Sequence, residues 1–332
     1  MSKYGLRTTR RRGLDSSEMP KPWSIQIELT EGCQLRCPMC SIAATGIGRQ
    51  ERNYLTIGLS ERLASQIASF CPKARIEFAM HGEPLLNPEA LPILRVFRQA
   101  LPATQLMLTT NGVLFLTEWP QWSDNLFGLV NVLLVDLYDP YGSKLRVIIE
   151  GNPHGWQTHD FYNGQFNPYH NHGPKGTAVV FMDDLLRRDR DAAQRVVTNQ
   201  GGNCPIRLPL NRPLVKVCTK PFREIAVRWD GKVGICCDDW GLEYQVGDLS
   251  IESIQSVWEG ERFEFARRLL RWKYRAFAPC CFCDVGAGPR VGLLSKMIEP
   301  TKADFTECLK INTNSPRYNN RTTIEKPKGM FF

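Results

Sequence analysis

Cys33, Cys37 and Cys40 stand at C-x3-C-x2-C spacing. Thiolates are soft ligands that suit iron–sulfur clusters and zinc. A structural zinc site is closed by four ligands, and a ferredoxin cluster likewise takes four cysteines. Only three lie together here. A 4Fe–4S cubane held by three cysteines keeps one iron without a protein ligand, and that iron can bind a small molecule. A second set is more dispersed: Cys218, then Cys236 in a Gly231-x4-Cys pattern, then the C-x2-C pair Cys280 and Cys283. Four thiols can close an auxiliary cluster, with zinc as the plain alternative. Cys281 is an alternative to Cys280, although the C-x2-C spacing favours Cys280. Of the 12 cysteines, Cys71, Cys204, Cys237, Cys281 and Cys308 remain and suit small core positions. Cys204 stands apart, because Gly201-Gly-Asn-Cys-Pro lies where two domains should meet.

The elements that must position these residues follow from periodicity. Ser24 to Thr30 alternates apolar and polar residues, as a half-buried strand does, and the first cysteine loop follows it directly. Leu59 to Phe70 has helical spacing, with Ser60 as cap and Leu63, Ile67 and Phe70 on one face. Ala74 to Met80 is a strand ending at His81-Gly82-Glu83-Pro84. Ala90 to Ala100 is helical, and Gln105 to Thr110 is a strand ending at Asn111-Gly112. Leu129 to Leu137 and Thr177 to Met182 are further strands. Alternation of strands and helices predicts βα units around a parallel sheet. Beyond residue 201 the pattern changes. Glu224 to Trp229 and Lys232 to Cys237 flank Asp230-Gly231, a two-residue hairpin signal. Ile251 to Trp272 then carries one helical period through Ile254, Val257, Trp258, Phe265 and Leu269.

With 332 residues, 42% apolar and 23% charged, the chain is neither disordered, collagenous nor coiled coil as a whole. No apolar run approaches the roughly 20 residues of a membrane helix. The N-terminus has charge but no apolar core of a signal peptide, so a cytoplasmic, reducing setting without membrane contact is expected. The net charge of +8 sits mainly at the ends: residues 1–22 hold six Lys/Arg against two Asp/Glu, and residues 301–332 six against three. These read as flexible basic arms, either solubilising or able to hold a polyanion. Arg262, Arg267, Arg268, Arg271, Lys273 and Arg275 suggest an exposed helix face. His154, His159, His170 and His172 share a Gly- and Asn-rich stretch that could meet metal or substrate, with a structured loop as the plain reading. Asp238 and Asp239 could turn toward substrate, with solvated acids at a strand end as the plain reading.

In the cysteine triplet after the first strand, the chain resembles the radical SAM superfamily. His81-Gly82-Glu83-Pro84 stands where that family has Gly-Gly-Glu-Pro, and Thr109-Thr110-Asn111-Gly112 ends the next strand. All these motifs fall at C-terminal strand ends, where barrels place their active sites. The resemblance implies a partial (β/α)6 TIM-like barrel over residues 23–200. It implies that S-adenosylmethionine chelates the open iron of a cluster on Cys33, Cys37 and Cys40. Reductive cleavage then gives a 5′-deoxyadenosyl radical that abstracts a substrate hydrogen. Gly82, Glu83, Thr110 and Asn111 become the S-adenosylmethionine contacts. Met39 replaces the aromatic residue usual before the third cysteine and can still pack on adenine. His81 replaces a glycine and is expected to be an ordinary strand-end residue.

The second cysteine set, with Gly247-Asp-Leu and the following Trp-bearing helix, resembles the SPASM or twitch extension. That implies a small α+β domain with a β-hairpin over residues 201–300. It would hold one auxiliary 4Fe–4S cluster on Cys218, Cys236, Cys280 and Cys283, serving electron transfer or shaping of the site. A reductant such as flavodoxin or ferredoxin is implied. The substrate is left open between a peptide or protein side chain and a modified DNA base. The rival class is a non-enzymatic iron–sulfur or zinc module that binds nucleic acid.

Overall fold

The computed structural model describes residues 20–48, 50–137, 141–151, 154–161, 178–183, 197–286 and 300–315. Its centre is a nine-stranded sheet. The strands, in chain order, are β1 (Ser24–Ile27), β4 (Arg75–Phe78), β5 (Leu106–Thr110), β6 (Val132–Leu137), β7 (Gln157–Asp160), β8 (Ala178–Asp183), β9 (Glu224–Val227), β10 (Lys232–Gly234) and β11 (Gln245–Asp248). A separate two-stranded ribbon pairs β2 (Thr30–Glu31) with β3 (Asn53–Tyr54). The spatial order is β11-β10-β9-β1-β4-β5-β6-β8-β7. All neighbours from β9 to β7 are parallel, as expected of a partial barrel, while β10 and β11 return antiparallel. β8 lies between β6 and β7, so the last two strands of the barrel are exchanged in space relative to the sequence.

Side-chain alternation divides the sheet into two faces. Leu106, Leu108, Leu133, Val135, Val179 and Phe181 join the main core, which also takes residues from the helices. After the short α1 (Ser41–Thr45), these helices are α2 (Ile57–Phe70), α3 (Ala90–Ala100), α4 (Phe115–Leu126) and α5 (Gly142–Glu150). The alternate residues Met107, Val132, Leu134 and Val180 form a second small cluster on the opposite face. Strands buried on both faces read as near-continuous apolar runs, which is why they stood out in the sequence.

Several expectations are corrected. The cap of α2 is Thr56, whose hydroxyl accepts the Leu59 N–H, while Ser60 is buried inside the helix and donates to the Thr56 carbonyl. The long helical period after residue 251 is two helices, α6 (Ile254–Trp258) and α7 (Glu261–Arg271), broken at Glu259-Gly260. The segment from residue 301 opens with a helix, α8 (Lys302–Asn314), rather than a flexible arm. Thr301 and Asp304 form a reciprocal capping box, and Cys308 and Ile311 are buried. Arg267 and Arg275 are almost fully buried, donating to the carbonyls of Pro221, Trp258, Lys216, Val217 and Val285, so the basic helix face is smaller than its charge count suggested. Residues 1–19 and 316–332 of the basic arms, and His170 and His172, lie outside the described residues. Among the described residues no helix is long and apolar enough to cross a membrane.

The expected boundary at residue 201 divides strands of one sheet. β9 pairs with β1 along its whole length, Ser24 opposite Glu224 and Ile27 opposite Val227. Beyond that pairing, Glu28 is fully buried. Burial would raise its carboxyl, but His81, with Nδ1 at 3.0 Å, and Arg228, with Nε at 2.9 Å, outweigh it and hold the group below its ordinary value. Arg228 also pairs with Glu31. Paired charges of this kind tie the C-terminal segment to β1, because removing one partner leaves a buried charge uncompensated.

Candidate functional site

Two cavities gather the cysteines. The first lies at the C-terminal ends of β1, β4, β5 and β6, an open cleft of about 130 Å³. Cys33, Cys37, Cys40, Gly82, Glu83, Thr110 and Asn111 all line it, so the structure brings the sequence-selected residues together. The cysteine loop is stitched to the β4 turn by two backbone bonds, Gly32 N–H to the His81 carbonyl at 2.9 Å and Glu83 N–H to the Gly32 carbonyl at 3.0 Å. Gly82 is required by this packing: a Cβ there would stand 1.9 Å from the Thr30 carbonyl oxygen. Its neighbour is therefore protein backbone, where the sequence suggested a ligand.

Glu83 organises the floor. Its Oε1 accepts from Thr110 Oγ1 at 2.7 Å and from Leu85 N–H at 3.2 Å, and its Oε2 accepts Asn111 N–H at 2.8 Å. Burial nevertheless dominates and pushes its carboxyl up to about 7, against the lowering effect of these donors. Asn111 Nδ2 lies 3.4 Å from Cys33 Sγ, linking this network to the thiols. Burial also pushes Cys33 up to about 11 and raises Cys40. Thiolate ligation here would release protons to solvent and so couple metal binding to deprotonation.

Two further residues line this cavity. Asp136, at the end of β6, adds a second acid near Cys40. Its signal in the sequence was a charge inside an apolar strand. Met80 takes φ +93°, a backbone state in which non-glycine residues are uncommon. Met39 does not line the cavity. Its carbonyl accepts from Gln200 Nε2 at 3.0 Å and Cys204 Sγ at 3.2 Å, so Cys204 does stand at the meeting of the two regions.

The second cavity is lined by Cys218, Cys236, Cys280 and Cys283 together with Lys220, Asp238 and Arg275. Cys281 is absent from the lining and is buried in the main core, so the structure favours Cys280 as the spacing did. Burial raises Cys236 and Cys280 well above the ordinary thiol range and Cys283 to about 12. Asp238 is buried and paired with Lys220 Nζ at 2.7 Å. Lys220 Nζ also lies 3.0 Å from Cys237 Sγ. Burial works against this ammonium, but Asp238 and the neighbouring sulfurs override it and hold the group well above its usual value. Asp239 is buried too, accepting the N–H groups of Glu243 and Tyr244. Neither acid is solvated as expected. Among the described residues no three His, Cys, Asp or Glu side chains converge as they would on a single metal ion. Cys218, Cys236, Cys280 and Cys283 line this one cavity together, a soft donor set that fits an iron–sulfur cluster or zinc.

His81 is more than a strand-end residue. It is 1% exposed, its Nε2 lies 2.8 Å from the Cys237 carbonyl oxygen, and its ring lies 4.2 Å from that of Trp240. It connects the first cavity's turn to the second cavity's strand. His154 pairs with Asp124 and stacks on Phe127 at the surface.

The family model for the SPASM domain, an iron–sulfur cluster-binding domain, matches residues 218–284. An S-adenosyl-L-methionine-dependent 2-deoxy-scyllo-inosamine dehydrogenase from Niallia circulans is 22% identical over 260 residues, covering 77% of this chain and 90% of that protein. The crystal structure of BtrN in complex with AdoMet and 2-DOIA superposes with a TM-score of 0.59 at 21% identity, over 81% of this chain and 95% of that one. This chain is a radical SAM enzyme with a SPASM domain. An open form of BtrN superposes with a TM-score of 0.53 at 17% identity, over 80% of this chain and 94% of that one. The SPASM match begins at Cys218 and ends one residue past Cys283. A radical SAM enzyme works with S-adenosylmethionine and a 4Fe–4S cluster, and the SPASM domain adds iron–sulfur binding.

Proposed function

We propose that this radical SAM enzyme carries out a two-electron oxidation of a C–H bond next to a hydroxyl or amino group in a small polar substrate. When bound, the clusters and S-adenosylmethionine would supply one-electron reduction and a 5′-deoxyadenosyl radical. Cys33, Cys37 and Cys40 would hold the first cluster. Glu83, Thr110 and Asn111 would orient the cationic methionine end of S-adenosylmethionine, Glu83 by accepting from its ammonium. Asp136, the second acid of the cavity, would face the substrate side and accept its proton. Cys218, Cys236, Cys280 and Cys283 would hold a fully ligated auxiliary cluster.

The observation that carries the oxidation is the second cavity, where four thiols, three of them buried, line one space beside the cations Lys220 and Arg275. Four protein ligands close a cluster to substrate and suit it to accept an electron. The balance is then complete: a hydrogen atom goes to the adenosyl carbon, a proton to a base and one electron to the auxiliary cluster. The 22% identical relative is itself a dehydrogenase by name, which supports the same overall outcome. A flavodoxin- or ferredoxin-like reductant and a cytoplasmic setting belong to this reading. The rival nucleic-acid module loses support because Arg267 and Arg275 are committed to buried backbone carbonyls. The peptide and modified-base substrates rank behind the small polar one.

The test is anaerobic reconstitution with iron and sulfide, followed by dithionite, S-adenosylmethionine and a panel of aminocyclitols, polyols, cysteine- or serine-containing peptides and duplex DNA. Formation of 5′-deoxyadenosine with a carbonyl product from a cyclitol or polyol is expected. Turnover of the peptide or DNA alone would displace the proposed substrate class, and absence of the nucleoside with every substrate would refute the reaction.

A further inference from the structure

Residues 199–204 run between the two cavities, and two adjacent side chains there engage opposite loops. Asn199 is fully buried. Its N–H donates to Asp284 Oδ1 at 2.8 Å, its Oδ1 accepts the Asp284 N–H at 3.0 Å, and its Nδ2 donates to the Phe282 carbonyl at 2.7 Å. Phe282 and Asp284 are the two neighbours of Cys283. Gln200 engages the other loop. Its Nε2 donates to the Met39 carbonyl at 3.0 Å, and its Oε1 accepts from Ser41 N–H at 2.9 Å and Ser41 Oγ at 2.5 Å. Met39 and Ser41 are the two neighbours of Cys40. Each primary amide therefore brackets one cavity-lining cysteine by pairing with the residues on both sides of it. An amide suits this task because it carries a donor and an acceptor on one planar group.

The backbone between them is stiff. Gln200 has φ +49° and Gly201 φ +65°, and a Cβ on Gly201 would lie 2.3 Å from the Asp238 carbonyl oxygen. A non-glycine residue keeps a left-handed conformation when its surroundings over-determine it. His81 is a second strut of the same kind, with its ring on the Cys237 carbonyl and its own carbonyl on Gly32 N–H, next to Cys236 and Cys33 respectively.

We propose that Asn199 and Gln200 are a positioning pair that locks the register of the two cysteine loops, so that a change in the ligand state at one cluster is felt at the other. This rests on the reading that both cysteine sets hold clusters. Neither residue is a catalytic group.

The experiment uses reconstituted enzyme and crossed readouts. Asn199→Asp keeps the acceptor for Asp284 N–H but sets a carboxylate oxygen against the Phe282 carbonyl. Gln200→Glu keeps the acceptor for Ser41 but loses the donor to Met39. For Asn199→Asp, the change that S-adenosylmethionine induces in the EPR spectrum of the first cluster is titrated. For Gln200→Glu, the midpoint potential of the auxiliary cluster is measured. Asn199→Asp is expected to weaken the S-adenosylmethionine response by about fivefold or more, the usual scale of coupling between sites. Gln200→Glu is expected to shift the auxiliary potential. The proposal is overturned if each variant alters only the cluster whose cysteine it brackets. Where a variant with wild-type circular dichroism loads incompletely, iron content is the crossed readout. Depletion at both sites supports coupling, and depletion confined to the bracketed site overturns it. A wild-type enzyme lacking one of the two cluster signals would instead count against the function proposed above.

Discussion

The two cavities use the same donor atom and differ in what surrounds it. In the first, three half-buried thiols share the walls with two acids, Glu83 and Asp136. In the second, four thiols, three of them buried, share the walls with two cations, Lys220 and Arg275, and one acid, Asp238, paired to Lys220. A missing fourth donor and an acidic rim suit a cationic small-molecule ligand. A complete donor set with nearby positive charge suits an anionic, closed cluster. Ligand count and the sign of the local charge, more than cysteine chemistry itself, divide the work between the two sites.

Substitutions in the cysteines should separate the sites most sharply. Cys40→Ala is expected to abolish 5′-deoxyadenosine formation while the auxiliary cluster's EPR signal survives; loss of both signals together would mean that the cavities are not independent ligand sets. Cys283→Ala should do the opposite. S-adenosylmethionine cleavage persists, and oxidised product falls by about 100-fold, on the scale of lost metal-site support. Equal loss of nucleoside and product would place the second cavity upstream of cleavage.

Smaller effects probe the walls. Removing a charge-assisted hydrogen bond costs about 1.5–3 kcal/mol, so Glu83→Gln should weaken S-adenosylmethionine binding roughly 10- to 100-fold by isothermal titration. The same residue carries a pH signature. Its carboxyl, raised from 4.5 to about 7, makes the folded state hold the proton longer than the unfolded chain. The stability this contributes is full below pH 4.5 and is lost as pH rises to about 7. Melting of the enzyme without S-adenosylmethionine should decline over that window, and Glu83→Gln should flatten the decline. An unchanged slope would assign it to other groups. Last, Lys220→Met removes the cation beside the second cavity and is expected to lower the auxiliary midpoint potential, on the order of tens of millivolts. No shift would leave Arg275 as the wall's effective charge.

Much of this was legible in the chain. The strands β5, β6 and β8 stood out because they are buried on both faces and so are largely apolar runs, and β1 stood out by its apolar–polar alternation. The helix α4 did not, since Pro120 lies inside it and its backbone leaves helical geometry at Glu118. α5 follows residues outside any clear cap, and the short β7 has an exposed-to-intermediate pattern that periodicity cannot register.

The first cysteine triplet and the Gly-Glu-Pro and Thr-Asn-Gly turns were set by local order alone, because each is a short contiguous motif at the end of one strand. Which residues stand between the two cavities was decided by tertiary structure. His81 lies 156 residues from the carbonyl it touches, and Gln200 lies 161 residues from its partner at Met39. Pairing of β9 with β1 brings these distant segments together, and no local spacing rule encodes a contact made through a sheet.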